Sequence, residues 1–532
     1  MIAMASMEKL YKDDVQEDIY ETGSRAAKVA SFILFGKLVS FFLMAAAFII
    51  IVRILGPSVY GVYTLAIAVA GFFGSVGNFG IGTSLNKFIA EYKHKKDYDN
   101  VNLHIANGIF ILFIAGVVLA AVTVLFSSYL AMLVFHSAAD SFIIDIAAIS
   151  ILTTMMYGGT SSALVGYGNG KHVSVSILSM AVVQASVGIG LALAGFGALA
   201  PLIGLILGST TAFIVALAYM YVIEGAKPVM PTFGFMKKLL KFSMPITVSN
   251  FFSTVVNNLA LIVLGIFTTT VILGNFGVAS RLGSLIDIIT GSISLSLLTA
   301  FSSSFTGAQG SRNIGRIYSN SVYFSFILVA PLLVAVVVLA QPFSFTAFSS
   351  VYSFAPMYIR ILGIGMVIGL FSAYAGAALV GASKVKTMMK YNILISVIQL
   401  ALIPLLIPTL KGFGTVLLLF LITPILGDIF FVRLMVKYFE LKLKAKRLLL
   451  AVAANTIAAG MLYVLLIFLG WNYELLIVVA FFAMLIAYPA LLGLLGGIGR
   501  EEVDMVEKMS TGIPVIGFFI KALAIYSSKF MR

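Results

Sequence analysis

Long apolar runs follow one another along the chain from Val29 to Leu495, and only short polar breaks separate them. A bilayer core about 30 Å thick needs about 20 consecutive apolar residues per helix, and the runs are long enough. Their spacing predicts fourteen membrane-spanning helices, at 29–52, 59–83, 105–134, 143–167, 173–196, 199–223, 243–267, 271–300, 319–340, 356–381, 391–409, 413–436, 448–470 and 474–495. The pattern indicates an all-α polytopic membrane protein.

Composition excludes a soluble protein and most site chemistry. Of the 532 residues, 61% are hydrophobic and 10% are charged, whereas soluble domains carry about 25% charged residues. Cysteine is absent, which excludes disulfides and thiolate metal sites. The four histidines are scattered near helix ends, where we expect solvated surface, and the segment 166–172 lacks the spacing of a nucleotide-binding loop. The sequence predicts no metal, no cofactor and no direct use of ATP.

The net charge of +14 could suggest nucleic acid, but the positions of the charges decide otherwise. Lysine and arginine concentrate in every second break between the predicted helices, and the other breaks contain only Arg53 and Lys411. Such a bias marks the cytoplasmic side of a membrane protein. We therefore predict a cell-membrane protein with both termini in the cytoplasm, contacts with membrane lipids and no nucleic-acid partner. The basic breaks contain Lys93, Lys95, Lys96, Lys171, Lys227, Lys237, Lys238, Lys241, Arg312, Arg316, Lys384, Lys386, Lys390, Lys437, Lys442, Lys444, Lys446 and Arg447.

Short matches recur at a nearly constant offset. The sequence Ala-Leu-Val-Gly occurs at 163–166 and at 378–381, and Gln184 corresponds to Gln399. Two pseudo-symmetric six-helix bundles follow from this repeat, and parallel repeats are typical of alternating-access transporters. The predicted organisation is a cytoplasmic tail (1–28), a first bundle (29–223), a cytoplasmic linker (224–242), a second bundle (243–436), two additional helices (447–495) and a cytoplasmic tail on the membrane surface (496–532).

Three motifs resemble a known family. The stretch 53–63, Arg-Ile-Leu-Gly-Pro-Ser-Val-Tyr-Gly-Val-Tyr, resembles the signature of Wzx-type polysaccharide flippases, as do Asn-Phe-Gly at 78–80 and Lys-Phe-Ser-Met-Pro at 241–245. These flippases belong to the multidrug/oligosaccharidyl-lipid/polysaccharide exporter superfamily. The resemblance implies two bundles that form a V around a central cavity. One departure is the pair Asn257 and Asn258, where family members often carry an acidic residue.

The implied substrate, a polyprenyl-phosphate- or pyrophosphate-linked oligosaccharide, needs cations for its head. Arg281 lies deep in predicted helix 8, and a cation at membrane depth usually faces a cavity or a partner. We expect it to bind phosphate, with pairing to Asp287 or to a backbone carbonyl as the alternative. Lys37 is a second candidate for phosphate binding, and extension of its side chain to the inner membrane interface is the alternative. Arg53 and Arg360 are candidates on the release side, with loop anchoring as their alternative.

Amides and carboxylates within the spans supply the other candidates. Asn257 and Asn258 are adjacent, so they point in different directions, and at least one is expected to bind sugar hydroxyls; hydrogen bonding between helices is the alternative. Asp287 and Asp428 are the candidates for H⁺ or Na⁺ coupling, although a structural pair of Asp428 with Arg433 would also explain the second carboxylate.

The sequence therefore predicts a flippase, not an enzyme, that moves lipid-linked oligosaccharide by alternating access for glycan assembly. We expect contact with glycan-assembly enzymes. A cation-coupled multidrug exporter of the same superfamily is the main alternative, and fourteen helices favour the flippase branch. A membrane-embedded glycosyltransferase or polymerase is a weaker alternative because no break between helices is long enough for a catalytic domain.

Overall fold

The computed structural model describes residues 2–77, 80–305, 310–468, 473–500, 503 and 526–530, and the described side chains begin at Phe32. Within this part of the chain every regular element is a helix, which confirms the all-α prediction. The Cα positions form two compact units. Unit 1 comprises Met1–Leu55 and Val62–Ile262, and unit 2 comprises Gly56–Gly61 and Val263–Arg532.

Unit 1 contains most of the first eight helices. A long helix breaks in the middle, a short amphipathic helix follows it, and the rest are apolar rods. In order they are α1 (Ile2–Gly77), α2 (Ile81–His94), α3 (Tyr98–Leu125), α4 (Ser127–Val134), α5 (Ser141–Gly166), α6 (Gly170–Leu193), α7 (Leu199–Ala218) and α8 (Phe233–Phe267). Helix α7 continues into a π-helical turn at Tyr219–Ile223.

Unit 2 contains shorter segments with more interruptions. They are α9 (Thr270–Ser304), α10 (Gly310–Leu328), α11 (Ala330–Val338), α12 (Ala340–Phe348), α13 (Ala355–Gly369), α14 (Ala375–Gly381), α15 (Val385–Val416), α16 (Thr423–Gly427), α17 (Arg433–Phe439), α18 (Ala445–Phe468) and α19 (Tyr473–Leu494). Two π-helical turns, Leu417–Ile422 and Asp428–Val432, flank α16.

The described residues contain nine helices that are long and apolar enough to cross a membrane. Two of them, Phe32–Ser75 and Val385–Phe439, each hold two predicted spans. The backbone leaves helical geometry inside them at Gly56 (φ 71°) and at Lys411 (φ 52°). Helices α8 and α9 and the pair α13–α14 cover the three other predicted spans, so the structure agrees with about fourteen crossings.

The middle of the stretch 53–63, residues 56–61, forms a tight helix contact inside unit 2. Gly56 breaks α1, and Pro57 follows within the helix. A Cβ on Gly61 would lie 1.7 Å from the carbonyl oxygen of Thr270, and one on Gly274 would lie 1.9 Å from that of Pro57. Only glycine permits such an approach of two backbones. The motif that carries the family resemblance therefore has a packing role.

The two glycines that end the repeated Ala-Leu-Val-Gly sequences have matching roles. In unit 1 a Cβ on Gly166 would lie 2.8 Å from the backbone oxygen of Asn86, on α2. In unit 2 a Cβ on Gly381 would lie 2.7 Å from Cβ of Phe301, on α9. Gly166 thus lets the end of α5 approach α2 in unit 1. Gly381 lets the end of α14 approach α9 in unit 2. This agreement supports the internal repeat.

Buried amides of α3 hold the start of the predicted linker 224–242. The backbone N–H groups of Lys227 and Thr232 donate to Oδ1 of Asn102 and of Asn107, at 2.9 and 2.8 Å. Helix α8 begins at Phe233 and remains in unit 1 as far as residue 262. The bundle limits at 223 and 243 remain a prediction. The tail segment 504–525 lies outside the described residues.

Candidate functional site

A cavity of about 550 Å³ lies inside unit 1. Its walls come from the second part of α1, the start of α2, the middle of α5, and the middle of α8, and Leu205 of α7 adds one apolar side chain. A volume of this size is within the range of small-molecule sites. Helices α5 and α8 are distant in sequence from α1 and α2, so the cavity is a product of the tertiary fold.

Small residues keep this space open. Gly71, Gly74 and Gly158 line the cavity, as do Gly80 and Gly82 at the start of α2. A Cβ on Gly158 would meet nothing within 4 Å, and a Cβ on Gly74 would meet only Ile151, at 3.6 Å. The backbone of Gly80 has φ 60°, a conformation that glycine adopts without strain. Gly74 and Gly158 therefore leave room here, whereas the glycines at 61 and 274 permit close packing.

Hydroxyl groups supply the polarity of the wall. Ser75, Ser150, Thr154 and Ser162 line the cavity. Each donates to a backbone carbonyl three or four residues earlier in its own helix, at 2.6, 2.6, 2.5 and 2.9 Å. Since a hydroxyl has one hydrogen and two lone pairs, each oxygen can still accept a hydrogen bond from a ligand. The wall is thus rich in neutral acceptors.

Charge is missing from this wall as far as the structure describes it. The lining residues are glycine, serine, threonine, alanine, leucine, isoleucine, methionine and phenylalanine. An ion without an opposite charge is costly to hold at low dielectric. The arrangement suits a ligand part that is polar, uncharged and able to donate hydrogen bonds. Phe251 and Met155 add apolar surface to the same cavity.

Asn258 lies at the edge of the cavity. A Cβ added to Gly71 would lie 2.7 Å from Oδ1 of Asn258. Nδ2 of Asn258 donates to the Thr254 carbonyl at 2.9 Å. Gly71 and Thr254 both line the cavity. Asn257 is more exposed and donates to the Ser253 carbonyl at 3.0 Å. The structure therefore separates the two amides and puts Asn258 beside the cavity, while sugar binding remains a prediction.

None of the four predicted cations lines the described cavity. Lys37 and Arg53 are exposed on α1, in unit 1. Arg281 is exposed on α9 and Arg360 on α13, both in unit 2. The structure does not bring these side chains to the cavity of unit 1, and their roles in phosphate binding remain predictions.

Asp428 is half-buried on a π-helical turn of unit 2. Its carboxylate faces the hydroxyl and backbone of Ser372, in the turn between α13 and α14. The Oδ1 atom is buried without a hydrogen-bond partner in the described structure, and no ion pair with Arg433 appears there. The side chain of Asp287, the other predicted carboxylate, lies outside the described residues.

The prediction of solvated histidines is wrong for two of the four. His104 is fully buried, and its Nδ1 lies 2.6 Å from the carbonyl oxygen of Asn100. His172 stacks on Tyr219 with ring centroids 4.1 Å apart, and its Nδ1 lies 3.6 Å from Glu224. Both histidines are near helix ends, as the sequence showed, but neighbouring aromatic rings cover them.

Sequence reasoning missed the hydroxyl wall, although a signal was present. Ser150, Thr154, Gly158 and Ser162 recur every four residues, a spacing that places side chains along one face of a helix. A continuous small and polar face on an apolar span predicts a helix contact or a cavity. The sequence alone does not separate these two outcomes.

The fold and the cavity define the class of this chain as a helical polytopic membrane protein with a polar cavity inside one unit. The family model described as "Polysaccharide biosynthesis protein" matches residues 26–305. Because this match covers more than half of the chain, the protein belongs to that family. The predicted family resemblance is confirmed. No curated protein matches the chain.

Solved structures show the same fold. A lipid II flippase, MurJ, in an inward closed conformation has a TM-score of 0.69 at 15% identity, covering 85% of this chain and 97% of its own. An inward-facing multidrug resistance MATE transporter of the MOP superfamily has a TM-score of 0.61 at 17% identity, covering 75% and 96%. A MOP superfamily transporter from Pyrococcus furiosus has a TM-score of 0.51 at 17% identity, covering 77% and 95%. The protein is a multi-pass membrane protein with the fold of these transporters.

Proposed function

We propose that this protein is a flippase that moves oligosaccharide linked to a polyprenyl phosphate or pyrophosphate across the cytoplasmic membrane by alternating access. Its family concerns polysaccharide biosynthesis, and a similar structure is a flippase for a lipid-linked substrate. The charge bias of the sequence supports cytoplasmic termini. Enzymes of glycan assembly, which make and consume such substrates, are the proposed partners.

The neutral hydroxyl wall of unit 1 is the observation that carries the proposal. An oligosaccharide is covered with hydroxyl donors, and each of them would lose water on entering the protein. Burial of a polar group without a partner costs about 1–3 kcal/mol, so a sugar needs many acceptors close together. Ser75, Ser150, Thr154 and Ser162 offer them, and the amide of Asn258 lies at the edge.

A multidrug exporter is the competing function, since one similar structure is a multidrug transporter. A cationic drug in a low-dielectric cavity would need a carboxylate nearby. The described wall of this cavity has none, and residues 257 and 258 are amides. This electrostatic difference favours the glycan over a cationic drug.

The test is removal of three acceptors without a change in charge. Ser150→Ala, Thr154→Val and Ser162→Ala together should lower the flipping rate of polyprenyl-pyrophosphate-linked oligosaccharide at least about tenfold, because each lost hydrogen bond is worth about 1 kcal/mol and 1.4 kcal/mol is tenfold. Flipping would be measured in reconstituted vesicles by access of an added glycosidase to the glycan.

The matched control removes three hydroxyls of unit 1 that lie outside this cavity. Ser179, Ser186 and Thr211 also donate to carbonyls of their own helices, and their Ala, Ala and Val variants should flip at the wild-type rate. Wild-type flipping by the cavity variant would contradict the proposal. Transport of a cationic dye by vesicles that do not flip the glycan would establish the drug exporter instead.

A further inference from the structure

Two lysines from distant parts of unit 1 lie over the same aromatic ring. Nζ of Lys87, on α2, is 4.8 Å from the ring centre of Phe88, and Nζ of Lys238, on α8, is 5.8 Å from it. Lys87 is also 4.3 Å from the ring of Phe242. An ammonium group over a ring face gains about 0.5–1 kcal/mol at an exposed site, so these contacts bias two cations toward one place.

The rings under Lys238 are themselves fixed by packing. The fully buried ring of His104 contacts Phe88, Tyr92 and Phe235, with centroids 4.9, 5.0 and 5.3 Å apart. Lys238 lies 6.0 Å from the ring of Tyr92 and 5.8 Å from that of Phe235. The two cations therefore lie against an aromatic platform, made of Phe88, Tyr92, Phe235 and Phe242.

No carboxylate in the described part of the chain forms an ion pair with Lys87 or Lys238. Glu91, one turn beyond Lys87, pairs with Lys95 at 2.7 Å. The hydrogen bond from Lys95 is the main cause that holds the pKa of Glu91 below its usual value, and the charges of Lys87 and Lys238 lower it further. Glu91 is therefore an ionised carboxylate that pairs with Lys95 and lies near both lysines, although the described structure shows no ion pair with either. Lys238 donates one hydrogen bond to the Tyr92 hydroxyl at 3.4 Å. Both ammonium groups are exposed and, with three N–H donors each, keep donors for an anion.

The platform adjoins the neutral cavity. Thr83 lines the cavity, and Lys87 is four residues later on the same face of α2, a rise of about 6 Å. A buried hydrogen bond of 3.0 Å between the hydroxyls of Ser84 and Ser243 joins α2 to α8 at this level. An anion beside Lys87 would therefore lie about one helical turn from Thr83, at the α2 side of the cavity.

We propose that Lys87 and Lys238 form a phosphate site that holds the phosphate or pyrophosphate of the lipid-linked substrate while its sugars enter the neutral cavity. This inference rests on the proposed function and adds the place of the charged head. Charge-assisted hydrogen bonds are stronger than neutral ones, so the head is held where cations are exposed. The sugars occupy the region where no charge lines the described wall.

Binding of a short probe tests the site directly. Farnesyl pyrophosphate would be titrated into the purified full-length protein, with farnesol as the uncharged comparison. The double variant Lys87→Gln/Lys238→Gln should bind farnesyl pyrophosphate at least about tenfold more weakly, because two charge-assisted hydrogen bonds are lost. Farnesol binding should not change.

Lys237→Gln/Lys241→Gln is the matched control, since it removes the same charge from α8 at exposed lysines and should weaken binding less than about threefold. Equal weakening by both double variants would overturn the inference, because it would show diffuse attraction. Displacement of the probe by phosphatidylglycerol nanodiscs as readily as by the lipid-linked glycan would also overturn it, by assigning the site to bilayer phospholipid.

The same preparations separate this inference from the proposed function. If the wild type flips the glycan and the Lys87/Lys238 variant binds the probe normally, the phosphate site alone is wrong. If the wild type binds the probe through these lysines and flips no lipid-linked glycan, the phosphate site stands and the proposed function is wrong.

Discussion

Corresponding helices of the two repeats are used differently. In unit 1 a small and polar face of α5 lines a cavity. At the offset of 215 the equivalent positions lie on α13 and α14 of unit 2, and there the hydroxyls are gone. Ser150, Thr154 and Ser162 correspond to Gly365, Gly369 and Ala377. A Cβ on Gly365 would lie 1.5 Å from the carbonyl oxygen of Phe420, so this face packs against backbone.

The difference shows that one pattern of small residues can produce either a polar cavity or a close helix contact. Where the neighbouring helix stands away, hydroxyls and glycines make a polar space. Where it approaches, glycine permits backbone contact, as small residues do in membrane helix pairs. Unit 2 also buries Tyr318, Tyr323, Tyr352 and Tyr374 almost completely. The comparison shows a polar cavity in unit 1 and a tightly packed core in unit 2.

The largest effect is expected from one added methyl group in the close contact of unit 2. Gly365→Ala should destabilise the protein by about 1–3 kcal/mol or more, because the Cβ meets backbone that cannot move aside cheaply. Gly158→Ala in unit 1 has open space around its Cβ and should be neutral or stabilising, by about 0.5–1 kcal/mol. Thermal unfolding of both purified variants measures this, and equal melting temperatures would break the comparison.

A smaller effect, on transport only, is expected at Arg281 of unit 2. Arg281→Ala should lower glycan flipping at least about tenfold with normal stability, since a cation about 15 Å into a span is kept for a partner or a cavity. Arg281→Lys should retain part of the activity, because lysine keeps the charge but loses the paired geometry. The exposed Arg312, changed to Ala, is the control, and full activity of Arg281→Ala would exclude the predicted role.

The smallest effect is expected at Asp428. An inside-negative potential is worth about 2.3 kcal/mol per charge per 100 mV, and it pushes an anionic head outward without an ion site. Asp428→Asn should therefore change flipping less than about twofold under an imposed potential. A stable Asp428→Asn protein that fails to transport, together with a wild type driven by a pH gradient at zero potential, would establish carboxylate coupling in unit 2 instead.

Several features could be predicted because they depend on neighbouring residues in the chain. Span length follows from the thickness of the bilayer, so runs such as 173–196 and 199–223 could be located from apolarity alone. The family resemblance rested on local motifs, and the match over residues 26–305 confirmed it. The surroundings of His104 and His172 could not be read in this way, because rings from distant segments cover them.

The sequence by itself determined the class of this protein: an apolar, repeated, helical chain of a polysaccharide-biosynthesis family. Only the tertiary structure decided where the cavity lies, that its described wall is uncharged, and that Asn258 rather than Asn257 borders it. It also brought Lys87 and Lys238 to one ring from segments far apart. The reason is physical. A span is specified by the hydropathy of about 20 consecutive residues, whereas a site depends on which helix faces meet and which stand apart.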